Sequence, residues 1–208
     1  MLTEFGLPGI FIFLLILVTS LTFHEAMHAF MSHWLGDTTA KDLGRLSLNP
    51  LKHVDLFTTV LLPLVLLLLG LPPFLIAKPV PFNPYRVRFG DYGAALVGLA
   101  GPLSNLLLAL VAVSIMRVSG VATGTTIYQI SSLFVQLNIA VFVFNMIPFP
   151  PLDGSRVLYA FAPEPRKVMQ QIESFGMTGI FIFMFLLFPL LIPIVNFLNN
   201  FFFQLFLG

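Results

Sequence analysis

The residues of this chain whose types and spacing could do chemistry lie in one short stretch, His24-Glu25-Ala26-Met27-His28. An α-helix turns by about 100° per residue, so His24 and His28 would project from the same face, one turn apart. Two imidazoles in that arrangement can share a zinc ion, and the neighbouring Glu25 carboxylate can accept a proton from an attacking water. The spacing therefore predicts a hydrolytic metal centre.

A catalytic zinc ion usually has three protein ligands and one open position, so a third ligand has to come from elsewhere in the chain. The longer zinc-protease signature does not apply, because Met31 and Trp34 occupy the places of its glycine and its third histidine. Asp153 is the strongest remaining candidate, because it follows a hydrophobic run and three prolines and directly precedes Gly154. His53, in a polar loop, is a weaker candidate.

The composition around these residues is that of a membrane protein. Of the 208 residues, 58% are hydrophobic and 9% are charged, and the mean hydropathy is +0.97, whereas soluble domains carry about 25% charged residues. Ionisable side chains at membrane depth are costly and by default mark a functional site. The chain has no cysteine and a net charge of +1, which excludes thiolate ligands and gives no reason to expect a nucleic acid partner.

The hydrophobic pattern predicts an all-α, polytopic membrane protein, with one membrane-embedded domain over 1–208 that forms a transmembrane helix bundle. A helix needs about 20 mostly apolar residues to cross a bilayer. Such runs predict helices at about 7–34, 92–116 and 127–147 and a C-terminal apolar segment at 175–207. Prolines interrupt the run at 56–84, which predicts a re-entrant, partly extended segment there.

The placement of lysine and arginine predicts that 56–84 enters and leaves the membrane on the same side. If this segment crossed fully, Asp153 would lie on the opposite side from His24 and His28. With a re-entrant course, nine of the ten basic residues lie on one face and only Arg117 lies on the other, as the positive-inside rule requires. Such non-helical backbone is tolerated where it lines a wet cavity. We therefore expect an active site nearer the cytoplasmic face.

Two motifs in the expected order resemble those of the site-2 protease family, the intramembrane zinc metalloproteases. The His-Glu-x-x-His motif lies in one apolar helix, and residues 145–154 fit the family pattern Asn-x-x-Pro-x-x-x-Leu-Asp-Gly. The run Gly101-Pro102-Leu103-Ser104-Asn105 and the loop 44–55 also look like those of family members without accessory domains. The resemblance covers most of the chain up to about Gly154.

The resemblance implies a zinc metalloendopeptidase with one zinc ion per chain, bound by His24, His28 and Asp153, with Glu25 as the general base. Asn145 would lie near the scissile carbonyl and hydrogen-bond the substrate. The substrate would be a transmembrane protein, cut in or near its membrane span in regulated intramembrane proteolysis. We expect an integral, multi-pass protein of a bacterial or archaeal cell membrane, with the lipid bilayer and an adaptor protein as candidate partners.

Other interpretations of the same residues remain open. A zinc or other metal transporter could use the same three ligands, and a non-catalytic scaffold could bind membrane segments without cutting them. Asp153 could cap the helix that follows it, and Asn105 and Asn145 could form interhelical hydrogen bonds. The intact Glu25 favours the protease, because neither a transporter nor a scaffold needs a general base.

Overall fold

The computed structural model describes residues 2–53, 55–68, 79–162 and 176–207. These residues form helices and loops without a β-strand among them, which confirms the predicted all-α fold. The elements in chain order are α1 (Leu2–Trp34), α2 (Thr39–Asp42), a 3₁₀ turn (Pro50–Lys52), a π-helical turn (Leu56–Leu61) that continues into α3 (Leu62–Leu68), α4 (Gly90–Val118), α5 (Thr126–Asn145), α6 (Gly154–Phe161) and α7 (Gly176–Leu207).

Four helices of the described part are long and apolar enough to cross a membrane. The candidate spans have mean hydropathies between 1.7 and 2.1, and they are Pro8–Trp34, Gly90–Val118, Thr126–Asn145 and Pro189–Leu207. Each reaches about the 20 residues that a hydrocarbon core requires. This length and composition indicate an integral membrane protein.

The helix bounds differ from the predicted ranges mainly where proline acts. α5 ends at Asn145 instead of 147, because the proline at 148 disfavours helical backbone at the residue before it. α1 begins at Leu2, so Pro8 lies inside the helix and not at its start. α7 is continuous through Pro189 and Pro193, and residue 175 of the predicted C-terminal segment lies outside the described residues.

α4 is the central helix and packs against α1, α5, α6 and α7. Its sequence places Ala94, Gly98, Gly101 and Asn105 at spacings of four, three and four residues, which puts them on one face. All four are buried. Because small residues let helix backbones approach closely, this face allows α1 and α6 to lie directly against α4.

α7 packs on the other side of α4 and α5, through a cluster formed by Ala109, Val113, Met116, Val135, Ile139 and Val143 with α7 side chains around it. At the end of this cluster, the Arg117 guanidinium donates a hydrogen bond to the Phe206 carbonyl at 2.9 Å. A basic side chain there satisfies a carbonyl that the helix end leaves without an intrahelical donor. The C-terminal ends of α4 and α7 therefore lie at the same end of the bundle.

Asp37 ties the end of α1 to the segment 79–83, which has no regular secondary structure. Its carboxylate accepts hydrogen bonds from the Asn83 amide at 2.7 Å and from the Thr39 hydroxyl at 2.6 Å. Burial raises the pKa of Asp37, but the hydrogen bonds from Thr39 and Asn83 and the charge of Arg86 outweigh it and hold that pKa below its ordinary value. The carboxylate is therefore ionised at neutral pH and keeps 79–83 beside α1.

The re-entrant course predicted for 56–84 depends on a turn within 69–78, which lies outside the described residues. The part before this gap is helical over Leu56–Leu68, and residues 79–83 after it have no regular secondary structure. The re-entrant course therefore stays a prediction.

Candidate metal centre

The residues of the His-Glu-x-x-His motif lie on the buried side of α1, in its C-terminal third. His24 is 4% exposed, and Glu25 and His28 are each 8% exposed. Asp153 comes from the loop between α5 and α6 and is brought to α1 by the packing of α6 on α4. His24, His28 and Asp153 each offer one ligand atom, and these atoms all lie within 4.8 Å of one another.

The distances among the three ligand atoms fit a zinc ion. His24 Nε2 lies 3.0 Å from Asp153 Oδ2, His28 Nε2 lies 3.3 Å from the same oxygen, and the two Nε2 atoms are 3.0 Å apart. Tetrahedral zinc with bonds of about 2.0–2.1 Å holds its ligand atoms about 3.3 Å apart. The set is thus close to the geometry of three zinc ligands, with the donor types that zinc prefers.

The partner of each Nδ1 atom decides which nitrogen of each imidazole is available. His28 Nδ1 lies 2.6 Å from the Val97 carbonyl oxygen, and a carbonyl only accepts, so Nδ1 carries the hydrogen. His24 Nδ1 lies 2.7 Å from Asn105 Oδ1. Each ring then presents an Nε2 lone pair to the other ring and to the Asp153 carboxylate. Three converging acceptors repel one another unless a proton or a metal ion lies between them, so the arrangement can hold a metal cation.

Glycines on α4 and before α6 make room for this arrangement. A Cβ built on Gly101 would lie 2.4 Å from His28 Nε2 and 2.7 Å from His24 Nε2. A Cβ on Gly154 would lie 2.5 Å from the Ile147 carbonyl oxygen. Gly101 therefore leaves the space that the imidazole rings occupy, and Gly154 allows the turn that presents Asp153.

The structure bears on two alternatives, helix capping by Asp153 and metal binding by His53. Within the described residues, Asp153 precedes α6 but its carboxylate makes no cap hydrogen bond; it faces His24 and His28 instead. The capping interpretation of Asp153 is therefore wrong for this structure. His53 lies apart from the ligand group: it is buried in the loop, with Nε2 2.7 Å from the Ser47 carbonyl oxygen.

Glu25 makes a contact that the sequence pattern did not predict. Its Oε2 accepts a hydrogen bond from the Val80 amide at 2.8 Å. Pro79 and Pro81 have no N–H, so Val80 is the one residue of this Pro-Val-Pro triplet that can donate. The Val80 amide therefore fixes one oxygen of the Glu25 carboxylate next to the candidate metal ligands.

Val80→Pro is expected to lower peptide hydrolysis roughly 10- to 100-fold. This factor corresponds to the loss of one hydrogen bond to a charged group, which contributes about 1.5–3 kcal/mol. The substitution removes the amide donor to Glu25 from a segment that contains proline on both sides of Val80. Zinc content should not change, because Val80 touches none of the three ligands. The control is Val80→Ala, which trims the buried side chain but keeps the N–H. Equal turnover of the two purified variants would show that this hydrogen bond does not orient Glu25.

The structure does not bring Asn145 into the ligand group. Asn145 ends α5 and donates through Nδ2 to the Val141 carbonyl of its own helix at 3.0 Å, so its role toward a substrate stays a prediction. Asn105 contacts His24, although the sequence indicated only helix packing for it, and Asn138 contacts Asn105 at 2.9 Å. The sequence feature that could have drawn attention to Asn138 is its polar amide in the middle of an apolar run, where polar groups are costly.

Comparison with known proteins gives a family and several relatives named as zinc metalloproteases. The family model "Peptidase family M50" matches residues 113–187. The chain is 40% identical over 168 residues to the Bacillus subtilis protein "Putative zinc metalloprotease YwhC", covering 77% of this chain and 74% of that protein. It is 27% identical over 190 residues to "Putative zinc metalloprotease Rip2" of Mycolicibacterium smegmatis, covering 89% and 68%. No solved structure gives a significant match.

The identity to YwhC extends over most of both proteins, which establishes common family membership. The family and the names of the relatives imply zinc as the cofactor. The candidate donor set, two histidines of α1 and the aspartate directly before α6, fits that ion. This chain therefore belongs to peptidase family M50, the site-2 protease family, and is a zinc metalloprotease embedded in the membrane.

Proposed function

We propose that this protein hydrolyses a peptide bond in or beside the transmembrane segment of another membrane protein, in regulated intramembrane proteolysis. The observation that carries the proposal is the convergence of His24, His28 and Asp153 within a helix bundle whose first helix is long and apolar enough to span a membrane. A buried hydrolytic site of this kind acts on chain segments that lie in the lipid.

The residues divide the chemistry between them. His24, His28 and Asp153 would hold one zinc ion, which when bound supplies Lewis acidity, polarises the scissile carbonyl and lowers the pKa of water to about 7. Glu25 takes the proton of the attacking water as general base and passes it to the leaving amine. Asn145, close to Asp153 in the chain, donates a hydrogen bond to the substrate carbonyl.

The segment 79–83 is the proposed place where the substrate backbone is held. A helical substrate must unwind before attack, and an extended strand could accept it by β-addition. The Val80 amide is engaged by Glu25 and the Asn83 amide by Asp37, while Pro79 and Pro81 have no N–H. Pairing would therefore rest on carbonyl oxygens of this segment, which accept from the amides that the substrate frees when it unwinds.

The site is proposed to lie nearer the cytoplasmic face. Arg86 and Arg88 precede α4 and are exposed, whereas Arg117 lies at the other end of that helix. The positive-inside rule places the more basic end in the cytoplasm. α1 ends at the same side, and the metal motif lies within three turns of that end. Selection of substrates would then depend on the membrane segment, on its flanks or on a membrane adaptor protein.

The test uses the purified protein reconstituted with zinc in liposomes that also contain solubilised bacterial membrane proteins. New N-termini are identified by mass spectrometry, and an entrapped zinc indicator reports metal flux. We expect new termini within or close to predicted membrane spans, which a chelator abolishes and added zinc restores, without zinc flux. Flux without cleavage would indicate a transporter instead, and capture of membrane segments without either would indicate a scaffold.

A further inference from the structure

A chain of buried polar groups connects α5 to the metal centre. Asn138, Asn105 and Ser20 are each 0% exposed, and they lead to His24, which is 4% exposed. Polar side chains at membrane depth are costly unless each hydrogen-bonding group is satisfied. These hydrogen-bonded side chains join three helices, since Ser20 and His24 lie on α1, Asn105 on α4 and Asn138 on α5.

The orientation of the Asn138 amide is fixed by acceptors. Its Nδ2 lies 2.9 Å from the Phe134 carbonyl oxygen and 2.9 Å from Ser20 Oγ. The Ser20 hydroxyl donates its own hydrogen to the Ile16 carbonyl at 2.8 Å, so it accepts from Asn138. A backbone carbonyl only accepts, and the NH₂ group therefore has to face Phe134 and Ser20. Asn138 Oδ1 is left facing Asn105.

The Asn105 amide takes its orientation from Asn138. Its Nδ2 donates to Asn138 Oδ1 at 2.9 Å and lies 3.2 Å from the Ser20 carbonyl oxygen. Both amide hydrogens are then used, and Oδ1 is turned to His24 Nδ1 at 2.7 Å. Because Oδ1 accepts, His24 Nδ1 has to carry the ring hydrogen, and Nε2 keeps the lone pair that faces Asp153.

The two histidines reach the same tautomer by different means. His28 Nδ1 is held by the Val97 backbone carbonyl, which no side-chain substitution removes. His24 depends on the amide side chains of two other helices. Groups that hydrogen-bond the outer nitrogen of a metal-binding histidine fix its tautomer and ring orientation, and their loss typically costs about 10- to 100-fold in metal affinity.

We propose that Asn138, acting through Asn105, is a positioning residue that holds the His24 ring as its Nδ1–H tautomer and so directs Nε2 at the metal. The proposal rests on the ligand role of His24 in the proposed function. Packing of α5 onto α4 is then coupled to zinc binding, because His24 is oriented only when all three helices are in register.

The test compares three variants of the full chain in lipid nanodiscs. Asn138→Ala removes the acceptor for Asn105 Nδ2 and leaves that amide free to rotate. Asn138→Asp keeps an acceptor oxygen for Asn105 and, when protonated, can donate to the Phe134 carbonyl. Ser132→Ala is the matched control, since Ser132 is buried on the same helix and its Oγ has no hydrogen-bond partner among the described residues.

Two properties are measured: the tautomer of His24 in the zinc-free protein and the zinc Kd. The chain has four histidines, so ¹⁵N-histidine labelling gives four rings whose tautomers can be assigned in the zinc-free protein by single substitutions. We expect His24 to be Nδ1–H in the wild type, in Asn138→Asp and in Ser132→Ala, but Nε2–H or mixed in Asn138→Ala. Chelator competition should show zinc Kd raised about 10- to 100-fold in Asn138→Ala alone.

Other outcomes would overturn the proposal. If Asn138→Ala keeps the Nδ1–H tautomer and wild-type zinc Kd while melting at a lower temperature, Asn138 only joins the helices. If Asn138→Ala does not fold, Asn138→Asp decides, because loss of the Nδ1–H tautomer in that variant refutes the relay. A separate variant tests whether His24 is a zinc ligand at all. If His24→Ala leaves the zinc Kd unchanged, the ligand role of His24 is wrong, whatever Asn138 does.

Discussion

Glu25→Gln is expected to lower peptide hydrolysis by roughly 10²- to 10⁴-fold, the usual contribution of a general base, without loss of bound zinc. Glutamine has the shape of glutamate, and its amide oxygen can still accept the hydrogen bond that the Val80 amide donates at 2.8 Å. The amide cannot take up a proton, so only the chemical step suffers. Turnover of a membrane-embedded substrate and zinc content are measured on the same preparation.

Two comparisons make this result specific to a protease. Glu25→Asp keeps a carboxylate but withdraws it by one methylene, so its turnover should lie between those of wild type and Glu25→Gln. A transporter would move zinc equally well with glutamine at this position. Full hydrolytic activity of Glu25→Gln would place the general base elsewhere, and loss of zinc from that variant would give Glu25 a structural role instead.

Gly101→Ala is expected to lose zinc binding and activity together. The added Cβ would lie 2.4 Å from His28 Nε2 and 2.6 Å from His28 Cε1, distances that require the ring to move. Misplacement of a reacting group by about 1 Å costs roughly 10²-fold in rate. Alanine is a better helix former than glycine by about 1 kcal/mol, so a weaker α4 cannot account for the loss.

The matched control for Gly101→Ala is Leu103→Ala on the same helix. Leu103 is 47% exposed on the outer face of the bundle, and the substitution should leave zinc Kd and turnover close to wild type. Zinc Kd is measured by chelator competition and the helical content by circular dichroism. A Gly101→Ala protein with wild-type zinc affinity would mean that the imidazoles do not lie against Gly101.

The candidate ligands His24, His28 and Asp153 could be picked out from the sequence because each motif that contains them is local. His24 and His28 are one helical turn apart, and Asp153 stands in a short motif of proline, leucine and glycine. Each motif can be recognised without knowing the fold. Their convergence was expected from a re-entrant course of 56–84 and the placement of basic residues. The structure brings one candidate ligand atom of each residue within 4.8 Å of the others.

The supporting contacts were not predictable, because they join residues that are distant in the chain. The Val80 amide meets Glu25 across 55 positions, and Asn105 meets His24 across 81. Periodicity indicated that Gly101 and Asn105 lie on one packed face of α4, but only the docking of α1 shows that they contact imidazoles. Asn138 carried no motif at all, and its connection to the site depends on the register of α5 against α4.

The central claim is that His24, His28 and Asp153 bind one zinc ion. The zinc K-edge absorption spectrum of the purified protein, with that of Asp153→Ala, tests it most directly. We expect one zinc per chain with two imidazole ligands and oxygen ligands in the wild type, and a weaker, oxygen-depleted or zinc-free site in Asp153→Ala. Three imidazoles, or a spectrum that Asp153→Ala leaves unchanged, would contradict the account.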